Sequence, residues 1–297
     1  MNNSIQHLAE NILLVASNDT WIEGNAIQQL HTTAQLAGMQ KIVGLPDLHA
    51  GRGYPIGAAF FTLGKLYPAL IGSDIGCGMA LWQTSLKTAG LNLDKLEKRI
   101  GNLDQPLSET EILQNFPQMT PLADGRFASG TIGLGNHFAE LLSLDEIFDT
   151  EIAHQIGLSK KQLQLLIHSG SRGIGGEILR SHIDQFGHHG LDEGTEALAD
   201  YLDRHQFALS YAEQNRRLIA SRILQNLKTE GVPLADIPHN FVEQAEINGQ
   251  LGWLHRKGAA PSDQGLVVIP GSRGSYSYLV QPLDTDIALK SLAHGAG

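Results

Sequence analysis

The chain carries one cysteine, Cys77, inside "SDIGCG", three residues after Asp74 and between two glycines. A carboxylate and a thiol at D-x-x-C spacing turn toward one point if the intervening Ile-Gly bends. That suits a metal ligand or a nucleophile better than core filler. Histidines recur in similar company: His49 in "PDLHAGRG", His137 in "GLGNHFAE", His168 in "IHSGSRG", His239 in "PHNF" and His294 in "AHGAG". Small neighbours leave room for a metal or a phosphate to approach the backbone. Any one of these histidines taken singly reads as structural, but six such segments in one chain point to ligands. Thiolate, imidazole and carboxylate together suit Zn²⁺, Mn²⁺ or Fe²⁺, and one thiolate can bridge two ions. The tetrapeptide "GSRG" occurs at 170–173 and again at 271–274. Short Gly/Ser turns of this kind form anion-binding nests, with Arg adding charge. The residues alone therefore give a metal site with phosphate-binding loops. His7, His31, His154, His182, His188, His189 and His205 fall in helical or polar stretches and read as surface residues.

These groups need elements to place them. Residues 4–38 read as a helix, a break near "SNDTW" and a second helix after Gly24. Short apolar runs with Gly/Pro punctuation from 41 to 86 read as strands and turns. Residues 90–115 read as helices, with "SETE" close to a capping box. "KQLQLLIHSGSRGIGGEILRSHID" reads as a strand, a glycine loop and an amphipathic helix. Residues 193–230 are helical by period, and the last third returns to strands and loops. Mixed elements without a regular βαβ series give an α+β fold. We expect a single mixed α/β domain over 1–297, with central β-sheets, surrounding helices and an active-site cleft lined by Gly-rich loops.

Of 297 residues, 42% are hydrophobic, enough for a substantial core. A single cysteine and no basic, apolar leader suggest a reducing cytoplasm, and no stretch resembles a membrane span. Net charge is −10, from 31 acidic and 21 basic side chains. That argues against broad non-specific nucleic-acid binding but leaves room for a local basic site.

"GLPDLHAGRGYPIGAAF", "IGSDIGCGMAL", "SGTIGLGNHFAEL", "IHSGSRGIGGEI", "PHNF", "HRKGAAP", "IPGSRGSYSYLV" and "AHGAG" resemble, in order, the signature segments of the RtcB family of RNA ligases. They span about 44–297. That family joins RNA ends bearing a 2′,3′-cyclic phosphate or 3′-phosphate to a 5′-hydroxyl, in RNA repair and tRNA splicing, using GTP and Mn²⁺. The resemblance implies Cys77 as a thiolate bridging two Mn²⁺ ions, with Asp74 and His137 on one and His168 and His239 on the other. It implies nucleotide contacts from Asn136, His137, Phe138, Ala139, Glu140, His239, Asn240, Pro270, Gly271, Ser272, Arg273, Ser277, His294, Gly295, Ala296 and Gly297. His294 would be the nucleophile that takes GMP from GTP, with Asp47 orienting it. Arg52, Arg172, Arg256 and Lys257 are candidates for RNA phosphates, and equally for surface or buried ion-pairing residues.

"PGSRG" stands where the family usually has Met after Ser, which hints at a divergent bacterial branch that includes proteins encoded beside a release-factor homologue. A release-factor-like partner is the corresponding expectation. The sequence ends at Gly297, the last letter of "HGAG", so the resemblance leads us to expect a domain without the family's C-terminal segment. Two other readings stay open: a dinuclear-metal phosphoesterase acting on RNA ends, and a catalytically idle domain binding RNA or a ribosome-rescue partner.

Overall fold

A computed structural model describes residues 5–283 and 286–295. The chain divides into two compact units. One is built from the segment ending at Gly76, from Gly173–Leu209 and from the segment beginning at Ile237; the other from Cys77–Arg172 and Ser210–Asp236.

The first unit centres on a six-stranded sheet in the order Ile5–Ala9, Ile12–Val15, Met39–His49, Ile56–Thr62, Gln250–Lys257, Asn240–Ile247. Neighbours are antiparallel except for the parallel pairing of Ile12–Val15 with Met39–His49. Alternation along the strands divides two apolar layers. Ile12, Leu14, Ile42 and Phe60 pack with Ala26 and Leu30 of helix Gly24–Thr33. Leu13, Val43, Ala59, Phe61 and Leu254 pack in a separate cluster with Leu289. A sheet buried on both faces needs continuous apolar strands, which is why "ILLV" and "AAFF" show no alternation.

That continuity also explains a correction. The first part of residues 4–38 is not a helix but a hairpin, Ile5–Ala9 against Ile12–Val15, whose second strand extends the sheet. Tertiary pairing overrides a run whose period alone does not separate strand from helix. The second helix, after Gly24, is present as read.

The second unit carries a four-stranded sheet in the order Gly231–Pro238, Gly78–Lys87, Gln162–Ser169, Phe138–Leu142. Leu165 and Ile167 pack against Ile219, Ala220 and Ile223 from the helix Glu196–Leu227, which fills the 193–230 expectation. The "SETE" segment starts helix Glu109–Asn115 with a full capping box, Ser108 and Glu111 each satisfying the other's backbone N–H. Mixed α and β without a βαβ series agrees with the expected fold class. No helix among the described residues is long and apolar enough to cross a membrane.

Candidate functional site

In the second unit, sheet register gathers the chemistry. His168 pairs with Met79 on one side and Phe138 on the other, across antiparallel neighbours. The end of the His168 strand therefore lies beside the starts of both neighbours, just where Cys77 and His137 precede their strands. Cys77 Sγ stands 3.3 Å from His137 Nε2 and 3.1 Å from His168 Nε2. The two rings meet edge-on, with centroids 5.2 Å apart, and Phe138 closes on His168 at 5.5 Å. Cys77 and His168 are buried.

The partners of the outer nitrogens distinguish the two imidazoles. His168 Nδ1 lies 2.9 Å from the Asn136 carbonyl. A carbonyl only accepts, so the proton sits on Nδ1 and the Nε2 lone pair faces the sulfur, as a metal ligand requires. His137 Nδ1 lies 3.4 Å from Arg172 Nη1, a group that only donates. In that arrangement the His137 proton sits on Nε2, so ligation through Nε2 calls for the guanidinium to turn aside. Gly133 makes the arginine's position available: a Cβ there would lie 1.7 Å from Nη1. Arg172 itself adopts φ 61° and donates through Nε to Thr131 Oγ1.

Two residues that the sequence did not single out hold this end of the sheet. Asn215 Oδ1 accepts from the Gly130 N–H at 2.9 Å, and Asn215 Nδ2 donates to Thr131 O and Ser169 Oγ. Arg216 donates to Ser169 O at 2.9 Å and pairs with Asp236 at 2.6 Å. Both lie mid-helix in "AEQNRRLIA", where a polar residue reads as solvated. The signal that could have found them is the "QNRR" run interrupting an otherwise apolar-periodic face.

The first unit holds another cluster. Asp47 belongs to the Met39–His49 strand beyond a register shift, and Gly57 has φ 79° with its Cβ position 2.9 Å from Asp47 Oδ1. Only glycine permits that approach. His294 follows Ser291–Ala293, a strand paired with Ala259–Pro261. Its Nδ1 lies 2.7 Å from Asp47 Oδ2, an ion-pair distance without the directionality of a hydrogen bond. The same oxygen accepts the Gly295 N–H at 2.9 Å. Gly258, at φ 63°, gives clearance to His294 Cε1, 2.8 Å from its Cβ position. The His239 ring stands 4.9 Å from that of His294, and His49 stacks on His294 at 6.4 Å. His49 Nδ1 donates to Asp47 O at 2.9 Å.

Asn240 is held by the backbone: its Oδ1 accepts from Gly258 N at 2.7 Å and its Nδ2 donates to Asp74 O at 3.2 Å. The 270–277 segment is a loop between Val267–Ile269 and Tyr278–Val280, with Gly271 N donating to Ser277 Oγ at 3.1 Å. Ser272 and Arg273 are exposed at its tip. Ala139 and Glu140 lie in the Phe138–Leu142 strand, lining a cavity of about 390 Å³. Ala296 and Gly297 lie outside the described residues.

Of the basic candidates, Arg52 is exposed and Arg172 half-buried. Arg256 is fully buried, paired with Glu243, bonded to Ser291 Oγ and Lys290 O, and stacked over Phe241. It fits the ion-pairing alternative, and RNA does not reach it in this state. Lys257 is buried and donates to Tyr54 O, and burial pushes its ammonium down to about 8. Two histidines read as surface residues are buried: His182, and His205, whose Nε2 accepts from Val242 N at 3.2 Å.

The model of the family described as "tRNA-splicing ligase RtcB" matches residues 29–111 and 108–297. "RNA-splicing ligase RtcB2" of Escherichia coli (strain ATCC 25922) is 54% identical over the whole of this chain and 78% of its own length. "RNA-splicing ligase RtcB" of Escherichia coli K12 is 29% identical over 93% of this chain and 78% of its own. "tRNA-splicing ligase RtcB" of Nanoarchaeum equitans is 28% identical over 93% of this chain and 76% of its own.

Proposed function

The chain belongs to the RtcB family, and from that premise we propose that it is an RNA ligase that joins 3′-phosphate or 2′,3′-cyclic phosphate ends to 5′-hydroxyl ends in RNA repair. GTP is the proposed energy source, Mn²⁺ the proposed metal and the cytoplasm the proposed setting. A release-factor-like partner belongs to the same proposal.

The observation that carries the reading is Cys77 Sγ facing the Nε2 atoms of both His137 and His168. One soft donor between two imidazoles fits a transition metal, and His168 is already held in the ligating tautomer. Cys77, His137 and His168 would hold metal, with Asp74 and His239 completing the set as the resemblance implies. Bound metal would supply charge neutralisation at the phosphates.

The chain's own residues supply the rest. Asp47 beside Nδ1 would keep a proton there and leave the Nε2 lone pair of His294 free to attack. Nε2 attacks the α-phosphorus of GTP; a P–N bond forms, a P–O bond breaks and pyrophosphate leaves. An oxygen of the RNA 3′-phosphate then takes GMP from the histidine. The 5′-hydroxyl attacks the activated 3′-phosphorus, GMP departs and the phosphodiester forms. Asn136, Phe138, Glu140, Asn240, Pro270, Gly271, Ser272 and Ser277 are the proposed nucleotide contacts, and Arg52 and Arg172 the proposed RNA contacts.

Incubation with α-labelled GTP and Mn²⁺ tests the proposal. An acid-labile label on wild type that is absent from His294→Ala supports it. Cyclic-phosphate opening without any adduct supports the phosphoesterase instead.

A further inference from the structure

The 270–277 loop carries an exposed surface of its own. Its root is packed against the residue after His294: Gly295 has φ 85°, and a Cβ there would lie 2.4 Å from Pro270 O. Its tip is a β-turn, Ser275 N donating to Ser272 O at 2.9 Å, with Gly274 at φ 84° in the third position. Arg273 therefore occupies the corner of a fixed turn, exposed, and its guanidinium makes no hydrogen bond or ion pair among the described residues.

Beyond the turn the side chains separate by direction. Ser277 points inward, its Oγ accepting from Gly271 N. The residues on either side stay outside: Tyr276 is 66% exposed and Tyr278 52%. Tyr278 is held by strand pairing with Ile269. A tight Gly271–Tyr276 approach, 2.2 Å from a Cβ position to the Tyr276 carbonyl, fixes the other. Two aromatic rings on anchored backbone beside an unpaired guanidinium match the needs of a single-stranded nucleic acid. Bases stack on aromatic faces, and phosphates pair with arginine.

We propose that Tyr276 and Tyr278, with Arg273, form a stacking platform for the unpaired bases of the RNA end delivered to His294. The proposal rests on the ligase reading and adds the surface that grips the substrate's bases. Stacking is indifferent to sequence, so the platform would accept any unpaired end.

The test uses the full chain and a fluorescent single-stranded RNA of about ten nucleotides ending in a 3′-phosphate, with affinity read by anisotropy over a salt series. Tyr276→Ala should weaken binding about 10-fold and Tyr276→Phe about 2-fold or less, because the ring rather than the hydroxyl stacks. Arg273→Ala should lower the slope of log Kd against log salt by about 0.7, one phosphate contact on a single strand. Tyr276→Ala equal to wild type overturns the platform. So does a Tyr276→Ala that weakens GTP binding and leaves RNA binding intact, since the ring then serves the nucleotide. Wild type that forms no GMP adduct and joins no ends, while Tyr276→Ala still weakens RNA binding, overturns the ligase reading and leaves the platform standing. Wild type that binds no RNA overturns both.

Discussion

The two histidine clusters are built in opposite ways. In the second unit, Cys77, His137 and His168 hang from three adjacent strand ends, and the register of one antiparallel sheet sets their spacing. In the first unit, Asp47 and His294 sit at a bend and beside a short pairing, and close contacts at Gly57, Gly258 and Gly295 set their places. The first arrangement presents soft, converging donors and suits a metal. The second presents a carboxylate against an imidazole and suits a nucleophile. A metal ligand tolerates only small displacement, so a rigid sheet end is the fitting support. An attacking histidine must accept a large nucleotide beside it, and glycine turns leave that space.

The largest expected effect separates the clusters directly. Cys77→Ala should weaken Mn²⁺ binding by more than about 100-fold, beyond what loss of an outer hydrogen-bond partner costs. Calorimetric titration checks this, and unchanged affinity breaks the metal assignment. Asp47→Asn acts on the other cluster: the rate of GMP adduct formation should fall about 100-fold while Mn²⁺ affinity holds. Equal loss of both would show that the clusters do not divide the work as described. Gly57→Ala tests the glycine support, because alanine there takes a strained φ and meets Asp47. We expect a stability loss of about 2 kcal/mol by urea unfolding, together with slower adduct formation.

The smallest effect is graded with pH. Burial holds His205 and His255 neutral, each lowered from 6.5 to about 4. The unfolded chain therefore binds protons that the folded chain refuses between those values. Stability is full above pH 6.5 and falls as pH drops toward 4, by about 1.4 kcal/mol per unit for each histidine. Both belong to the first unit, so hydrogen exchange at pH 5 should rise there first. Uniform exchange across both units contradicts that placement.

Much of this was legible in the residues. The glycine-flanked histidines are the members of both clusters, and "SETE", the 193–230 period and the strand–loop–helix around His168 appear as read. What escaped the sequence depends on partners distant along the chain. "ILLV" shows no alternation because its strand is covered on both faces. Arg256 looks like a free cation until Glu243, thirteen residues away, is brought across a hairpin. His255 accepts from Tyr67 N, 188 residues away. Asn215 and Arg216 look like solvated helix residues; only the folded chain brings the 129–131 loop to Asn215, and Ser169 and Asp236 to Arg216. Glycine spacing marks where a ligand has room; it does not tell which polar side chains are consumed by the backbone.

His294 is the residue proposed to carry GMP on the way to a joined RNA. A single-turnover reaction tests it most directly: wild-type chain with Mn²⁺ and α-labelled GTP, cleared of free nucleotide, then given one RNA with a 3′-phosphate and one with a 5′-hydroxyl. Label should leave the protein as joined RNA appears, one GMP released per junction, and His294→Ala should give neither. Joined RNA from an unlabelled protein, or from His294→Ala, would contradict it.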